Sequence, residues 1–438
     1  MKMGDTIFAM SSGRLPAGVA VVRISGPAAR LAIETIAGSA PEPYRLAVRT
    51  LRRGSDGEII DTGLVGYFQA PRSFTGEDCA EFHVHGGRAV VSALFGALGE
   101  IDGVRAAEAG EFTHRAFLNG KMDLVQAEAL GDLIEAETET QRRMAIRTAN
   151  GHISRLYEGW RARILAVQAA IAADIDFGDE GDVPDSVAER VGGDIAEVRI
   201  ELERHLAAHR KAEMIREGYQ VVLVGPPNSG KSSLLNALAG RDVAIVTDEP
   251  GTTRDLIEVQ LDLGGLKVVV TDTAGLREGA GRVEQMGIER AMARAEAADL
   301  VVELRPADAE DGGQPQRWRD AVIVRSKSDL SCRAAECGDG LAVSTVTGEG
   351  LDRLVEMIRE RAESAVGNGW DVGPQRLRHR LALQRCAKAL SRAESPGLDL
   401  ELIAEDLRSA ATELGRVTGR IEVEDILGEV FKAFCIGK

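Results

Sequence analysis

The residues Gly225-Pro226-Pro227-Asn228-Ser229-Gly230-Lys231-Ser232 have the types and spacing of a loop that wraps phosphate. In G-x-x-x-x-G-K-S the glycines let successive backbone N–H groups curl toward an anion. The lysine brings positive charge to the outer phosphates, and the serine hydroxyl is a hard oxygen ligand for Mg²⁺. Such a loop needs a strand before it and a helix after it. Residues 219–224 read as a buried strand, and residues 233–238, opening on Ser233, read as a helix whose N-terminus faces the phosphates. A glycine turn of no chemical interest is the bland alternative, and the order of the following signals argues against it. Thr252-Thr253-Arg254-Asp255 lies between two strand-like runs, where Thr253 can add a second hydroxyl to Mg²⁺ when a γ-phosphate is present. The strand 268–271 ends in Asp272-Thr273-Ala274-Gly275, which offers a carboxylate to the metal's water shell and a glycine N–H to the γ-phosphate. The strand 321–325 leads to Ser326-Lys327-Ser328-Asp329, where Asp329 can accept from guanine N1–H and N2–H. Ser326 stands where such sites use asparagine, which predicts weaker bracing of that loop. Ser344-Thr345-Val346-Thr347-Gly348-Glu349-Gly350 resembles a final base-side loop. Together these parts predict GTP hydrolysis with Mg²⁺. Leu276 holds the place where many small GTPases keep a water-orienting glutamine, so another group must orient the water. Glu284 is the nearest carboxylate; from position alone it is either that group or a helix N-terminal acid favoured by the dipole.

The elements that must position these loops fall into three kinds. Residues 1 to about 120 read as a compact α/β unit, with strands over 18–24 and 63–68 and a helix over 27–36 between them. A third strand over 77–87 alternates polar and apolar residues and puts Glu81, His83 and His85 on one face. Two histidines at this spacing are either a metal pair or a solvated strand face, and no third ligand of matching spacing accompanies them. A carboxylate-bearing face ending in Gly86-Gly87 suits a polar small molecule lying close to backbone. From Lys121 the apolar residues, among them Leu124, Leu130, Ile134, Met144, Trp160 and Val167, recur at helical spacing, which predicts long helices in a bundle. Residues 174–184 interrupt them as an acidic loop. A D-F-G triplet lies there without the other parts of a kinase. An amphipathic stretch over 185–217 runs into the phosphate-loop strand. Residues 363–374 read as a linker, and helical periodicity resumes over 376–390, 400–414 and 423–434. The simplest topology inserts the nucleotide domain (217–366) into a helical domain made of 121–216 and 367–438. The expected fold is therefore α/β plus all-α: an N-terminal α/β domain over 1–120, a discontinuous helical bundle, and an inserted Ras-like G domain.

Composition sets outer bounds. The 438 residues suit two to four domains, and Lys plus Arg total 53 against 69 Asp plus Glu, a net charge of −16. Such a balance disfavours a generally nucleic-acid-binding surface, so any RNA contact is local or shared with a partner. No apolar run has membrane-spanning length, and Met1-Lys2-Met3-Gly4-Asp5 lacks a signal-peptide layout; the expected location is cytoplasmic. Cys79, Cys332, Cys337, Cys386 and Cys435 are scattered, with no C-x-x-C pair, and read as reduced thiols.

Taken together, Phe74-Thr75-Gly76-Glu77-Asp78, His85-Gly86-Gly87, Phe117-Leu118-Asn119-Gly120-Lys121-Met122-Asp123-Leu124, Gly251-Thr252-Thr253-Arg254-Asp255 and the terminal Phe434-Cys435-Ile436-Gly437-Lys438 closely resemble the MnmE (TrmE) family of tRNA-modifying GTPases. The resemblance covers essentially the whole chain. It implies a homodimer joined through N-terminal tetrahydrofolate-binding domains. It also implies work with the FAD protein MnmG (GidA), adding a carboxymethylaminomethyl or aminomethyl group at C5 of the wobble uridine of certain tRNAs. The one-carbon source would be a 5-formyl- or 5,10-methylene-tetrahydrofolate. Carried over by motif, it puts the folate against Arg23, Glu81, Lys121 and Lys438, and GTP against Asn228, Ser229, Gly230, Lys231, Ser232, Ser233, Thr247, Thr252, Thr253, Asp272, Thr273, Ala274, Gly275, Lys327, Asp329, Ser344 and Thr345. Ser232 and Thr253 would hold Mg²⁺. Asn228, the backbone carbonyls of Thr247 and Glu249, and Thr252 would hold a K⁺ in the place of an arginine finger. Glu284 falls on the family's water-orienting glutamate. Ser326 departs from the family's asparagine, and Glu249 matters only through its backbone oxygen. Cys435 has two readings, a packing cysteine at a helix end or a thiol near the one-carbon unit; Gly437 and the terminal Lys438 make lipidation an unsuitable third. Two rival classes keep the phosphate loop: a regulatory GTPase without a role in the modification chemistry, and an ATPase with relaxed base choice.

Overall fold

The computed structural model describes residues 4–177, 186–245, 258–272, 292–307, 318, 320–330, 340–367, 373–421, 427, 430–431, 434 and 437. The chain parts into two compact units, one of residues 1–131, 148–162 and 412–438, the other of 132–147 and 163–411.

The first unit holds a six-stranded sheet built from β1 (Thr6–Met10), β2 (Ala17–Ser25), β3 (Leu46–Arg52), β4 (Ile59–Phe68), β5 (Cys79–Gly86) and β6 (Val104–Ala106), in the order β3-β4-β5-β2-β1-β6. Alternation decides which face is covered. Ala20, Val22 and Ile24 of β2 and Ala80, Phe82 and Val84 of β5 are buried in one core with Ile33 and Ile36 of α1 (Ala29–Ala37) and Leu94 and Leu98 of α2 (Arg88–Gly99). Burying each of the larger side chains contributes about 1.5–3 kcal/mol. The intervening residues Arg23, Glu81, His83 and His85 therefore share the other face. Antiparallel pairing of β2 with β5 sets Arg23 opposite Glu81 and Val21 opposite His83. The reading from sequence found β2, β4, β5 and α1; β5, read as a third strand, is the fifth. It passed over β1 and β6, which are short, β3, which is mostly exposed, and α2, whose apolar residues run nearly all round the helix.

Helices follow: α3 (Glu111–Leu118), α4 (Leu124–Glu135), α5 (Glu139–Ala149), α6 (His152–Phe177), α7 (Ser186–Ala207) and α8 (His209–Glu217). Residues 174–177, expected to open an acidic loop, are instead the last turn of α6. The reason is local, since no glycine or proline occurs from Trp160 to Phe177 to stop the helix.

In the second unit β7 (Tyr219–Val224), β8 (Glu258–Leu263), β9 (Leu266–Asp272), β10 (Leu300–Pro306), β11 (Val322–Ser326) and β12 (Leu341–Val343) form a sheet in the order β12-β11-β10-β7-β9-β8. Every pairing is parallel except the β8–β9 hairpin. Strands covered on both faces read as continuous apolar runs, and Val221-Val222-Leu223 and Val268-Val269-Val270 do so. One face packs against Ile215 of α8, Leu234 and Leu238 of α9 (Lys231–Ala239), and Leu354 and Ile358 of α10 (Leu351–Val366). Helix α10 continues four residues into the stretch read as a linker. Ile358, Ala362 and Val366 recur every fourth position and stay buried, and Gly367, at φ 67°, stops the helix. Two further helices are α11 (Leu377–Ala393) and α12 (Leu400–Thr418). Helices α7 and α11 pack together, and Arg199 of α7 reaches Glu394 at 2.9 Å. At the β8–β9 turn the Gly265 carbonyl accepts the Thr140 N–H of α5 at 3.1 Å, and Lys267 pairs with Glu137 at 2.6 Å. Among the described residues no helix is long and apolar enough to cross a membrane.

Candidate functional site

The phosphate loop joins the carboxyl end of β7 to the first turn of α9, and backbone sterics explain its composition. A Cβ on Gly225 would sit 2.5 Å from the Leu304 carbonyl oxygen, so only glycine lets the loop pass β10. Gly230, at φ 90°, precedes the helix in the left-handed region. Asn228 adopts φ 60°, a conformation that asparagine tolerates better than most residues. Lys231 is almost fully buried, and its Nζ donates to the carbonyls of Gly225 and Pro226 at 3.0 Å each. Its ammonium is thereby held within the loop that the sequence assigns to phosphates. Across from it the Ser232 hydroxyl donates to Asp272 Oδ2 at 2.6 Å. This brings together the helix-borne hydroxyl and the carboxylate ending β9, hard oxygens of the kind Mg²⁺ takes. Asn228 and Ser229 lie in the same loop.

On the base side, the Ser344 hydroxyl donates to Asp329 Oδ1 at 2.6 Å and accepts the Val346 and Thr347 N–H groups at 3.2 Å each. Ser344 is fully buried just past β12, so this contact fixes the Asp329 carboxylate. A cavity of about 280 Å³ opens there, lined by Gly230, Ser233 and Leu234 of the phosphate side and by Ser326, Lys327, Asp329 and Thr345 of the base side. Lys327 turns at φ 59°. The Ser326 hydroxyl donates to the Ser229 carbonyl at 2.6 Å, tying the base loop to the phosphate loop. Reading the sequence missed this contact, because a serine at that place signals only what it lacks.

Thr247, Glu249, Thr252, Thr253, Thr273, Ala274, Gly275, Leu276, Glu284, Cys435 and Lys438 lie outside the described residues.

In the first unit the open sheet face carries a separate polar group. Arg23 pairs with Glu81 at 3.0 Å, and Glu81 Oε2 lies 3.2 Å from His83 Nε2. The Arg23 guanidinium sits over the Phe74 ring, 5.0 Å from its centroid. Lys121 donates to the Pro71 carbonyl at 2.9 Å and lies along Gly76, where a Cβ would meet its side chain at 3.3 Å. The loop 71–76 thus touches both cations, through Phe74 at Arg23 and through Pro71 and Gly76 at Lys121. A carboxylate, two cations and an aromatic ring can hold a flat molecule that has a hydrogen-bond donor edge and an anionic group. His85 is instead held by Asp61 at 2.8 Å. Among the described residues no group of three or more His, Cys, Asp or Glu side chains is arranged to hold a metal. Behind the loop, Glu77 accepts from Ser25 at 2.7 Å and from Arg115 at 3.1 Å, and Arg115 also reaches Asp5 and Glu111. Burial pushes the Asp5 and Glu111 carboxyls up, yet hydrogen bonds from Arg105 and Arg115 outweigh it and hold both below their ordinary values. These carboxylates stay charged and keep Glu77, and with it the loop, in place.

Two family models cover the chain: one described as the GTP-binding protein TrmE N-terminus matches residues 6–121, and one described as the MnmE helical domain matches 124–435. A tRNA modification GTPase MnmE from Brucella anthropi is 53% identical over 99% of this chain and 98% of that protein. The tRNA modification GTPase MnmE of Mesorhizobium japonicum is 53% identical over 100% of both. Among solved structures, the G domain of the T. maritima FeoB iron transporter is 27% identical over 33% of this chain and 98% of that one, with a TM-score of 0.25. With one family model spanning most of its length and relatives more than half identical from end to end, the chain belongs to the MnmE family of tRNA modification GTPases.

Proposed function

We propose that this protein hydrolyses GTP at the β7–α9 loop and uses the cycle to drive modification of tRNA at C5 of the wobble uridine. The observation that carries the reading is the Ser232–Asp272 contact at 2.6 Å, in the same site as a lysine held inside the phosphate loop. The loop N–H groups and Lys231 balance the charge of the β- and γ-oxygens, and Asp329, oriented by Ser344, accepts from the guanine donor edge. Ser232 and Thr253 would hold Mg²⁺, with Asp272 ordering its water shell; when bound, the metal neutralises charge developing between the β- and γ-phosphates. Glu284 orients the attacking water in place of the missing glutamine. Asn228, the carbonyls of Thr247 and Glu249, and Thr252 would hold a K⁺, which would supply the positive charge that other GTPases take from an arginine. Equal hydrolysis rates in K⁺ and Na⁺ at matched ionic strength would remove that ion from the scheme, and an unaffected rate in Glu284→Ala would remove the glutamate.

The first unit is read as the folate site. Arg23, Glu81, Lys121 and Lys438 bind a 5-formyl- or 5,10-methylene-tetrahydrofolate, and Cys435 acts near its one-carbon unit. A Cys435→Ser variant that modifies tRNA normally would return that thiol to a packing role. The same sheet face exposes Val19, Leu46, Val48 and Leu64, which suits pairing of two copies through these domains. The FAD-dependent partner MnmG supplies the remaining redox chemistry, in the cytoplasm. The boundaries at 120, 216 and 366 belong to this reading.

The test is nucleoside analysis of tRNA from a deletion strain carrying either wild-type protein or Ser232→Ala. Wild type restores the modified uridine and the hydrolysis-deficient variant does not. Full restoration by a variant shown to lack GTPase activity would favour a regulatory switch over a part in the chemistry.

A further inference from the structure

We infer that the base pocket reads guanine by its donor edge alone, and that Ser326 is the residue that makes it blind to the N7 edge. The inference rests on the GTP-site reading above. Ser326 lies at the end of β11 and lines the cavity, between Asp329 and the phosphate loop. Its hydroxyl carries a single proton, and that proton is spent: Oγ donates to the Ser229 carbonyl at 2.6 Å, with Ser326 only 6% exposed. An asparagine amide there would have two N–H donors, one for the Ser229 carbonyl and one for an acceptor on the base. The serine keeps the first bond and deletes the second. Phosphates in the β7–α9 loop and the N1–H/N2–H edge at Asp329 fix the two ends of the nucleotide. The base edge bearing N7 then faces the wall between those anchors, which Ser326 occupies. Ser326 can still accept a hydrogen bond but has no proton to donate, so an N7 lone pair gains nothing from it.

Brace and base reading are thereby separated in this chain. The brace holds the phosphate loop in register with the pocket, while all base discrimination falls to Asp329, which Ser344 fixes from the far side at 2.6 Å. The ligand class that follows is guanine nucleotides lacking the N7 acceptor, the 7-deaza nucleotides, which this pocket should accept as readily as the parent base.

The experiment is competition against fluorescent GDP on the full-length protein, with GDP, 7-deaza-GDP and IDP as competitors. IDP keeps N7 but lacks the 2-amino donor. Expected for wild type are equal affinities for GDP and 7-deaza-GDP, within about twofold, and about tenfold weaker binding of IDP. The variant Ser326→Asn should open a gap of about tenfold between GDP and 7-deaza-GDP while leaving the GDP-to-IDP ratio unchanged. A change in ratio between two ligands is a readout that mere loosening of the loop does not produce. Tenfold discrimination against 7-deaza-GDP by the wild type overturns the inference, as does a Ser326→Asn protein that binds both equally. Absence of GDP binding, or IDP binding as tightly as GDP, overturns the underlying reading of Asp329 and the nucleotide site instead. Should Ser326→Asn fail to fold, the wild-type ratio alone decides.

Discussion

In the second sheet the described residues with an assigned role stand at or just beyond the carboxyl ends of strands: the phosphate loop after β7, Asp272 at the end of β9, Ser326 and Asp329 at the end of β11, and Ser344 after β12. In the first sheet Arg23 and Glu81 lie mid-strand, face to face across an antiparallel pair. Parallel strands all deliver their ends to one edge, so short loops meet there and each loop is one contiguous motif. An antiparallel sheet offers its open face instead. Its site is assembled by register, from residues 58 positions apart that share no local pattern. One protein therefore holds an edge site built from contiguous loops and a face site built by strand register.

If the two sites are independent in this way, single changes should separate them. The largest effect is expected from Lys231→Ala, which removes a buried cation from the phosphate loop: GDP affinity falls about 100-fold in a fluorescence titration, while 5-formyl-tetrahydrofolate binding by calorimetry is unchanged. Loss of both would break the comparison. Next is Arg23→Ala, which takes away the partner of Glu81 and the cation over Phe74; folate affinity falls about 30-fold, with GTP turnover within twofold of wild type. A matching fall in turnover would mean that the sheet face and the loop edge are one functional unit. Ser344→Ala sharpens the edge side alone. Asp329 loses the donor that fixes it, so GDP binds about tenfold more weakly while the rate at saturating GTP stays constant. The smallest effect is expected from Phe74→Leu, which keeps the packing volume but removes the ring beneath Arg23, for about a threefold loss of folate affinity and none of GDP affinity.

The same difference explains what the sequence made legible. The phosphate loop, Asp272 and Asp329 were readable because each motif is continuous and follows a strand with an apolar centre, Val221–Val224, Val268–Val270 and Val322–Val324. Glu81 and His83 were placed on a polar face by alternation, but nothing local says that Arg23 will oppose Glu81 or that Asp61 will hold His85 at 2.8 Å, since register is a tertiary property. Ser326 shows the limit within a motif: its type predicted weaker bracing, and nothing local said that its shorter side chain would be buried and reach the Ser229 carbonyl at 2.6 Å. Helix ends erred for a simpler reason. Acidic residues in 174–177 and the small residues of 363–366 suggested loops, yet neither stretch contains a residue that breaks a helix, and tertiary burial of Val366 favours another turn.

Strand β9 has a property that follows from its two ends. At one end Asp272 grips the Ser232 hydroxyl, and at the other the Gly264–Gly265 turn is bonded to the first turn of α5, with Lys267 clamped to Glu137. Between them run the seven residues Leu266–Asp272, a span of about 20 Å at the rise of an extended chain. A paired strand neither stretches nor bends easily along its length, and sliding it by one residue would turn its buried side chains to the opposite face. It is therefore a push-rod: a shift at the Asp272 end must either be absorbed as strain within the sheet or arrive at α5 almost undiminished.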